Sequence, residues 1–116
     1  MPNSGRILVV EDHADTSAAL STILTERGYS VLTADNGQQA IDLLDRGIRP
    51  GLMLVDLLLR EVSGEDLLAY LHQRPELREI PTIVITAVPK EQVRVITNAV
   101  FSKPLDFIRL TRAIDA

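Results

Sequence analysis

Residues 52–56 read Leu52-Met53-Leu54-Val55-Asp56, a run of four apolar residues closed by a single acid. Because the run does not alternate with polar residues, it predicts a strand that is buried on both faces. A second run of this kind, residues 7–10, ends in Glu11 and Asp12. Strands of this type occur in parallel sheets whose two faces are covered by helices, so we expect an α/β fold.

Strand-like and helix-like patterns alternate outward from these two runs. The predicted strands are residues 7–10, 29–34, 52–55, 82–85 and 99–101. The predicted helices cover 14–27, the region around 40–44, the stretch between Ser63 and Pro75, a short segment after Pro89 that includes Val93 and Ile96, and 105–114. Strands joined through helices are parallel and connected by right-handed crossovers. The pattern therefore predicts one three-layer α/β/α domain over residues 1–116, with the βα unit repeated five times.

The composition excludes several classes of function. The 116 residues suffice for one buried core, and 12 basic against 16 acidic residues argue against direct binding of nucleic acid by this domain. The absence of cysteine excludes disulfides, thiolate metal sites and cysteine nucleophiles. Residues 1–6 lack a signal-peptide pattern and no apolar run is long enough to span a bilayer, so we expect a cytoplasmic protein without a membrane segment.

Polar residues follow four of the predicted strands. They are Glu11 and Asp12 after the first strand, Asp56 after the third, Thr86 after the fourth and Lys103 after the fifth. In open α/β sheets the ligand crevice lies outside the carboxyl ends of the strands, so we expect these side chains to converge. Some of three neighbouring carboxylates would stay protonated unless a cation joined them, and oxygen ligands favour a hard ion such as Mg²⁺. With an ammonium and a hydroxyl nearby, the set is typical of phosphoryl transfer to a carboxylate nucleophile.

Four segments of the chain, in order, resemble the receiver domains of two-component response regulators. They are residues 7–12, residues 54–57 with Gly64 eight positions beyond Asp56, residues 83–87, and residues 102–104. The resemblance covers essentially the whole chain. It implies a flavodoxin-like fold with five parallel strands in the order 2-1-3-4-5.

The resemblance also implies a function. Asp56 would take a phosphoryl group from a phosphohistidine of a sensor histidine kinase or phosphotransfer protein, and the domain would catalyse only its own phosphorylation and dephosphorylation. The implied Mg²⁺ ligands are Glu11 (directly or through water), Asp12, Asp56 and the backbone carbonyl of Leu58. Lys103 would contact the phosphoryl group and Thr86 would move toward it. The resemblance implies a downstream protein or an attached output domain as the receiver of the signal, and it allows a weak homodimer.

Some positions depart from the family pattern. Arg60 stands where a proline is frequent, and Val100 stands where an aromatic residue often couples to the hydroxyl at Thr86. The stretch between Thr86 and Lys103 is short, which predicts a shortened fourth helix. We therefore expect intact chemistry with an altered output surface. Leu58 and Ala87 cannot orient an attacking water, so we expect slow self-dephosphorylation.

Three other functions are to be weighed against the same sequence features. An interaction module with little phosphorylation-driven switching would fit the shortened fourth helix. A small Mg²⁺-dependent phosphatase with an aspartate nucleophile would need a second acid where Leu58 stands. A flavin-binding domain would need free amides where Glu11 and Asp12 place negative charge.

The sequence also allows structural or solvent-exposed roles for His13, His72 and Asp12. His13, beside the acids, is interpreted as solvated, and His72 near a helix end as structural. Asp12 has the alternative role of N-cap for the first helix.

Overall fold

The computed structural model describes residues 5–116, so residues 1–4, which belong to the predicted domain and to the segment read as lacking a signal pattern, lie outside it. Within the described range the elements are β1 (Arg6–Val10), α1 (Ala14–Glu26), β2 (Ser30–Ala34), α2 (Gly37–Asp45), β3 (Leu52–Asp56), α3 (Gly64–His72), β4 (Thr82–Thr86), a 3₁₀ turn (Lys90–Gln92), β5 (Ala99–Ser102) and α4 (Phe107–Asp115).

The five strands form one sheet in the order β2-β1-β3-β4-β5, and every neighbouring pair is parallel. This is the predicted flavodoxin-like order. The register aligns Val10 of β1 with Val55 of β3, so that Glu11 and Asp56 leave the sheet side by side. On the other side of β3, Asp56 pairs with Ile85, and Thr86 is the next residue of β4.

Two apolar layers lie on opposite faces of the sheet, because successive strand residues point to opposite sides. On one face, Leu8 and Val10 pack with α2 and α3 through residues such as Leu44 and Leu67. On the other face, the core residues are Ile7, Val9, Leu20, Leu24, Leu52, Leu54, Ile83, Ile85, Leu110 and Ile114, which join the sheet to α1 and α4. Each fully buried aliphatic side chain contributes roughly 1.5–3 kcal/mol. The three-layer prediction is confirmed.

Three of the four described α-helices, α2, α3 and α4, start at a residue whose side chain caps them, and α1 does not. The Ser63 hydroxyl accepts a hydrogen bond from Asp66 N at 3.1 Å, as the sequence pattern predicts for α3. The N-cap of α1 is His13, which makes no side-chain capping bond, and not Asp12. The alternative capping role of Asp12 is therefore wrong. Its carboxylate lies instead with those of Glu11 and Asp56 at the ends of β1 and β3.

The crossover from β4 to β5 is shortened, as predicted, but the expected helix through Val93 and Ile96 is wrong. Regular helical structure there is limited to the 3₁₀ turn, and Val93 is already extended (φ −78°, ψ 126°). The following stretch is rich in β-branched residues, which favour extended backbone. Two side chains hold its end to β4: Thr97 Oγ1 donates to the carbonyl oxygen of Thr82 at 3.0 Å, and Asn98 Oδ1 accepts from Thr82 N at 2.9 Å.

Among residues 5–116, no helix combines the length and the apolar character needed to cross a membrane.

Candidate functional site

The carboxyl ends of β1 and β3 bring three acids together. Glu11 and Asp56 are each 1 % exposed, and Asp12 is half-buried beside them. One ligand atom from each of Glu11, Asp12, His13 and Asp56 lies within 4.8 Å of all the others. The predicted convergence of the acids is thus present, and it follows directly from the parallel register of the two central strands.

Lys103 joins the two buried acids from the end of β5. Its Nζ lies 2.8 Å from Glu11 Oε1 and donates to Asp56 Oδ2 at 2.9 Å. The Lys103 backbone N–H donates to the carbonyl oxygen of Thr86 at 2.8 Å, which fixes the start of the side chain against β4. The peptide bond from Lys103 to Pro104 is cis. One ammonium therefore contacts two carboxylates.

Burial and charge act in opposite directions on these groups. Burial, together with the neighbouring Glu11, raises the pKa of Asp56 above its ordinary value, although Leu58 N–H and Lys103 oppose the rise. Burial also favours the neutral form of Glu11, but Lys103 and His13 outweigh it and lower the pKa of Glu11. Burial disfavours the ammonium of Lys103, but the two carboxylates outweigh it and raise its pKa. The raised pKa of Lys103 favours its charged form, whereas the raised pKa of Asp56 favours its neutral form.

Both oxygens of Asp56 are oriented. Leu58 N–H donates to Oδ1 at 2.9 Å, while Lys103 donates to Oδ2. Leu58 itself is 55 % exposed. The carboxylate is therefore presented in one orientation to the space above the strand end.

A cavity of about 240 Å³ lies over Asp56. It is lined by His13, Thr16, Asp56, Leu58, Ala87 and Lys103. The polar lining comes from α1 and the strand ends, while the apolar lining comes from Leu58 and Ala87. A small anion placed on Asp56 would meet an ammonium on one side and two apolar side chains on the other.

The site contains two positively charged or chargeable groups that the sequence did not assign to it. His13 Nδ1 lies 2.9 Å from Glu11 Oε2, 3.1 Å from Asp12 Oδ1 and 4.0 Å from Asp56 Oδ2, and its ring is exposed. The contact with Glu11 raises the pKa of His13. Arg60 Nε lies 3.8 Å from Asp12 Oδ2. In the sequence, only their positions indicate that these residues belong to the site: His13 directly follows the acidic pair, and Arg60 lies in the loop after Asp56.

Thr86 sits at the end of β4 but does not bond to the acids. Its side chain is fully buried, and its Oγ1 accepts a hydrogen bond from Val88 N at 3.0 Å. Among the described residues no hydrogen bond joins this hydroxyl to Glu11, Asp12 or Asp56. As an acceptor, the hydroxyl is therefore bound to the loop that follows β4.

The acidic cluster fits a divalent cation. Glu11 Oε1 and Asp12 Oδ1 are buried oxygens whose charged neighbours are Lys103 Nζ at 2.8 Å and His13 Nδ1 at 3.1 Å. Lys103 is the one permanent positive charge in contact with the two buried carboxylates of the described cluster, and carboxylates this close favour a further ligand that carries positive charge. An all-carboxylate set suits a hard ion such as Mg²⁺. The part assigned to the Leu58 carbonyl stays a prediction.

Gly64 allows α3 to approach the strand end closely. A Cβ at this position would lie 2.4 Å from the carbonyl oxygen of Asp56 and 2.6 Å from the Cα of Leu57. Gly64 N–H donates to the carbonyl oxygen of Leu57 at 3.1 Å. The glycine thus fixes the backbone on which Asp56 stands.

Comparisons with known proteins agree with this geometry. The family model described as response regulator receiver domain matches residues 7–115. The polar-differentiation response regulator DivK of Brucella anthropi is 34 % identical over 119 residues, covering 98 % of this chain and 94 % of DivK. The transcriptional regulatory protein CpxR of Escherichia coli strain K12 is 35 % identical over 91 residues, covering 78 % of this chain and 37 % of CpxR. The crystal structure of the signal receiver domain of a signal transduction histidine kinase from Syntrophus aciditrophicus superimposes with a TM-score of 0.89 and 30 % identity, covering 97 % of this chain and 88 % of that one.

Proposed function

Because the chain belongs to the response regulator receiver domain family, we propose that Asp56 accepts a phosphoryl group in a Mg²⁺-dependent reaction and that the acyl phosphate changes the partner contacts of the domain. One observation carries the proposal. Asp56 is a buried carboxylate with both oxygens oriented, by Leu58 N–H and Lys103, and it opens into a cavity of about 240 Å³.

The chemistry is a displacement at phosphorus. A carboxylate oxygen of Asp56 attacks the phosphorus of a phosphohistidine, and the phosphorus–nitrogen bond breaks. The electron pair leaves with the imidazole, which takes a proton from solvent, and Asp56 carries the acyl phosphate. Leu58 N–H contributes by orienting the carboxylate before the attack. Lys103, already at Oδ2, is placed to contact a phosphoryl oxygen.

Glu11, Asp12, Asp56 and the backbone carbonyl of Leu58 would hold Mg²⁺, with Glu11 contributing directly or through water. When bound, the ion would neutralise charge on the phosphoryl oxygens. The convergence of the Glu11, Asp12 and Asp56 carboxylates at the strand ends supports this assignment. Arg60 would release Asp12 when the carboxylate turns to the ion, because its contact at 3.8 Å is long and exposed.

Thr86 supplies a two-state element for signalling. Its hydroxyl accepts from Val88 N, and a rotation of the side chain toward a phosphoryl group would break that bond. The phosphoryl oxygen then offers the hydroxyl a new acceptor, and this differential contact would shift the loop after β4 between two positions. The movement would begin at residues 87–89.

A constitutive interaction module is the second candidate. The irregular crossover between β4 and β5 favours it, because no helix there would move as a unit. A phosphatase acting on other molecules is disfavoured, since the apolar side chain of Leu58 lines the cavity where a second acid would be needed. The partners we propose are a sensor histidine kinase or phosphotransfer protein, with a downstream protein or attached output domain, in the cytoplasm.

The test is incubation with acetyl phosphate and Mg²⁺, followed by intact-mass measurement. We expect one added phosphoryl group that is lost on mild alkaline treatment and absent after chelation of the metal. Asp56→Asn should abolish the addition, whereas Asp42→Asn, a matched change on the exposed face of α2, should leave it unchanged. Equal labelling of wild-type protein and Asp56→Asn would refute the proposal.

A further inference from the structure

His13 places an imidazole nitrogen among the three carboxylates of the site. We propose that His13 Nδ1 is a direct metal ligand, so that the site is a mixed nitrogen and oxygen site which binds borderline transition ions such as Co²⁺, Ni²⁺ or Zn²⁺ more tightly than Mg²⁺. The proposal rests on the proposed function, because it concerns the same cation position.

The distances fit a shared octahedral ion. Ligands bound at about 2.1 Å to an octahedral ion lie about 3 Å apart when they are neighbours and about 4.2 Å apart when they are opposite. His13 Nδ1 lies 2.9 Å from Glu11 Oε2, 3.1 Å from Asp12 Oδ1 and 4.0 Å from Asp56 Oδ2. The distances from His13 Nδ1 to Glu11 Oε2 and to Asp12 Oδ1 therefore match those between neighbouring ligands. Its distance to Asp56 Oδ2 is close to that between opposite ligands.

The carboxylates themselves point to a missing ligand. The Glu11 side chain has no exposed surface and that of Asp12 is 13 % exposed, so both carboxylates are largely removed from water. Lys103, 2.8 Å from Glu11 Oε1, supplies one full positive charge for three carboxylates. A divalent ion held by Glu11 Oε2, Asp12 Oδ1 and His13 Nδ1 would add two positive charges beside these carboxylates and leave Lys103 on Asp56.

The local backbone presents the imidazole to the cluster. His13 is the extended N-cap residue of α1 (φ −89°, ψ 112°), and its backbone N–H donates to Glu11 Oε2 at 3.0 Å. This bond holds Glu11 and the His13 ring in one arrangement. Because the ring is 66 % exposed, an ion can bind to it without disturbing the core.

The donor set decides the preference among ions. Carboxylate and carbonyl oxygens suit Mg²⁺, Ca²⁺ and Mn²⁺, whereas imidazole suits zinc, copper, iron and nickel. The chain has no cysteine, so no thiolate competes for these softer ions. Adding Nδ1 to three carboxylates therefore raises affinity for the borderline ions and does little for Mg²⁺.

Proton NMR during a Co²⁺ titration tests the proposal, because the chain has only two histidines. Direct ligation should give contact-shifted ring resonances of His13, far outside the range of the through-space shifts that any nearby Co²⁺ causes, and these resonances should be lost in His13→Gln. The ring of His72, whose Nε2 contacts the carbonyl oxygen of Ile96, serves as the internal control and should show no contact-shifted resonance.

Calorimetry supplies the second readout. In His13→Gln, Co²⁺ affinity should fall about tenfold or more, since even outer-sphere partners of metal ligands change affinity by about 10- to 100-fold. Mg²⁺ affinity should change by less than about twofold, as expected for an ion that prefers oxygen. His72→Gln should bind both ions like the wild type.

Two other outcomes would contradict the proposal. If Co²⁺ binds and Asp12→Asn abolishes binding, but no contact-shifted His13 resonance appears and His13→Gln binds Co²⁺ like the wild type, the role of His13 is refuted and the proposed Mg²⁺ site stands. If neither Mg²⁺ nor Co²⁺ binds the wild-type protein, both the role of His13 and the proposed metal site are refuted.

Discussion

Lys103 Nζ lies 2.9 Å from Asp56 Oδ2 and so connects the ends of β5 and β3, two strands that are separated by β4. The contact passes over the end of β4, where Thr86 lies. The ion pair between Lys103 and Asp56 therefore spans the strand end that carries Thr86.

Lys103→Met should reduce phosphorylation of Asp56 by about 10- to 100-fold. A hydrogen bond that involves a charged group contributes about 1.5–3 kcal/mol, and each 1.4 kcal/mol corresponds to about tenfold. The rate of mass addition from acetyl phosphate at saturating Mg²⁺ measures the effect. Lys103→Arg, which keeps the charge with a different shape, should retain part of the rate. An unchanged rate in Lys103→Met would exclude a role at the phosphoryl group.

Asp56→Asn should stabilise the fold at neutral pH by roughly 1 kcal/mol, the scale of ordinary single substitutions. Burial and Glu11 raise the pKa of Asp56 in the folded state. A raised carboxyl pKa gives stability that is fully present below the unfolded-state pKa and is lost as the pH rises through the folded-state pKa. Urea unfolding across the acidic range should therefore show the wild type losing this contribution and Asp56→Asn keeping it. Greater stability of the wild type at neutral pH would contradict the assignment.

Thr86→Ala should permit phosphorylation but suppress its structural effect. The substitution removes the acceptor of Val88 N–H, which costs about 1 kcal/mol, and it leaves no hydroxyl to move toward the phosphoryl group. Amide shifts of residues 86–102, recorded before and after phosphorylation, report the response. Thr86→Ser keeps the hydroxyl and should retain most of the shift changes. Equal changes in the alanine variant would show that signalling does not pass through this hydroxyl.

Leu58→Asn should accelerate loss of the phosphoryl group by about tenfold, since a positioned polar group beside the acyl phosphate can orient the attacking water. In the wild type, Leu58 and Ala87 are the apolar part of the cavity lining and offer no such group. Decay of the phosphorylated mass after removal of acetyl phosphate gives the rate directly. Leu58→Met, which remains apolar, should decay like the wild type.

Gly64→Ala should destabilise the fold by about 1–3 kcal/mol, the usual cost of overpacking. The added Cβ would meet the carbonyl oxygen of Asp56 at 2.4 Å, so either α3 or the strand end must move. Denaturant unfolding measures the loss, and Mg²⁺ affinity should fall with it. Glu65→Ala, on the neighbouring exposed position, should stay within about 1 kcal/mol of the wild type.

The sequence predicted the sheet because its strands are uninterrupted apolar runs, and a strand of that kind has few other environments. Asp56 and Glu11 came together for the same reason: once Val10 pairs with Val55, the next residues are neighbours. The crossover was mispredicted because Val93 and Ile96 have a helix-like spacing, while the bonds from Thr97 and Asn98 to Thr82 that keep the segment extended are tertiary.

His13 was missed for a different reason. An exposed polar residue after a strand carries no periodic signal, and its approach to Glu11 depends on the extended backbone at the N-cap of α1. Spacing along the chain could therefore place the acids but not the direction of this ring.

The irregular crossover between β4 and β5 makes the shape of this surface depend on neighbouring elements. A helix is ordered by its own backbone hydrogen bonds, whereas residues 93–96 belong to neither a helix nor a strand. Contacts with other elements hold this stretch, such as that of His72 Nε2, at the end of α3, with the carbonyl oxygen of Ile96. A protein that docks on its exposed members, Arg94 and Ile96, therefore binds a surface whose position follows α3 and β4.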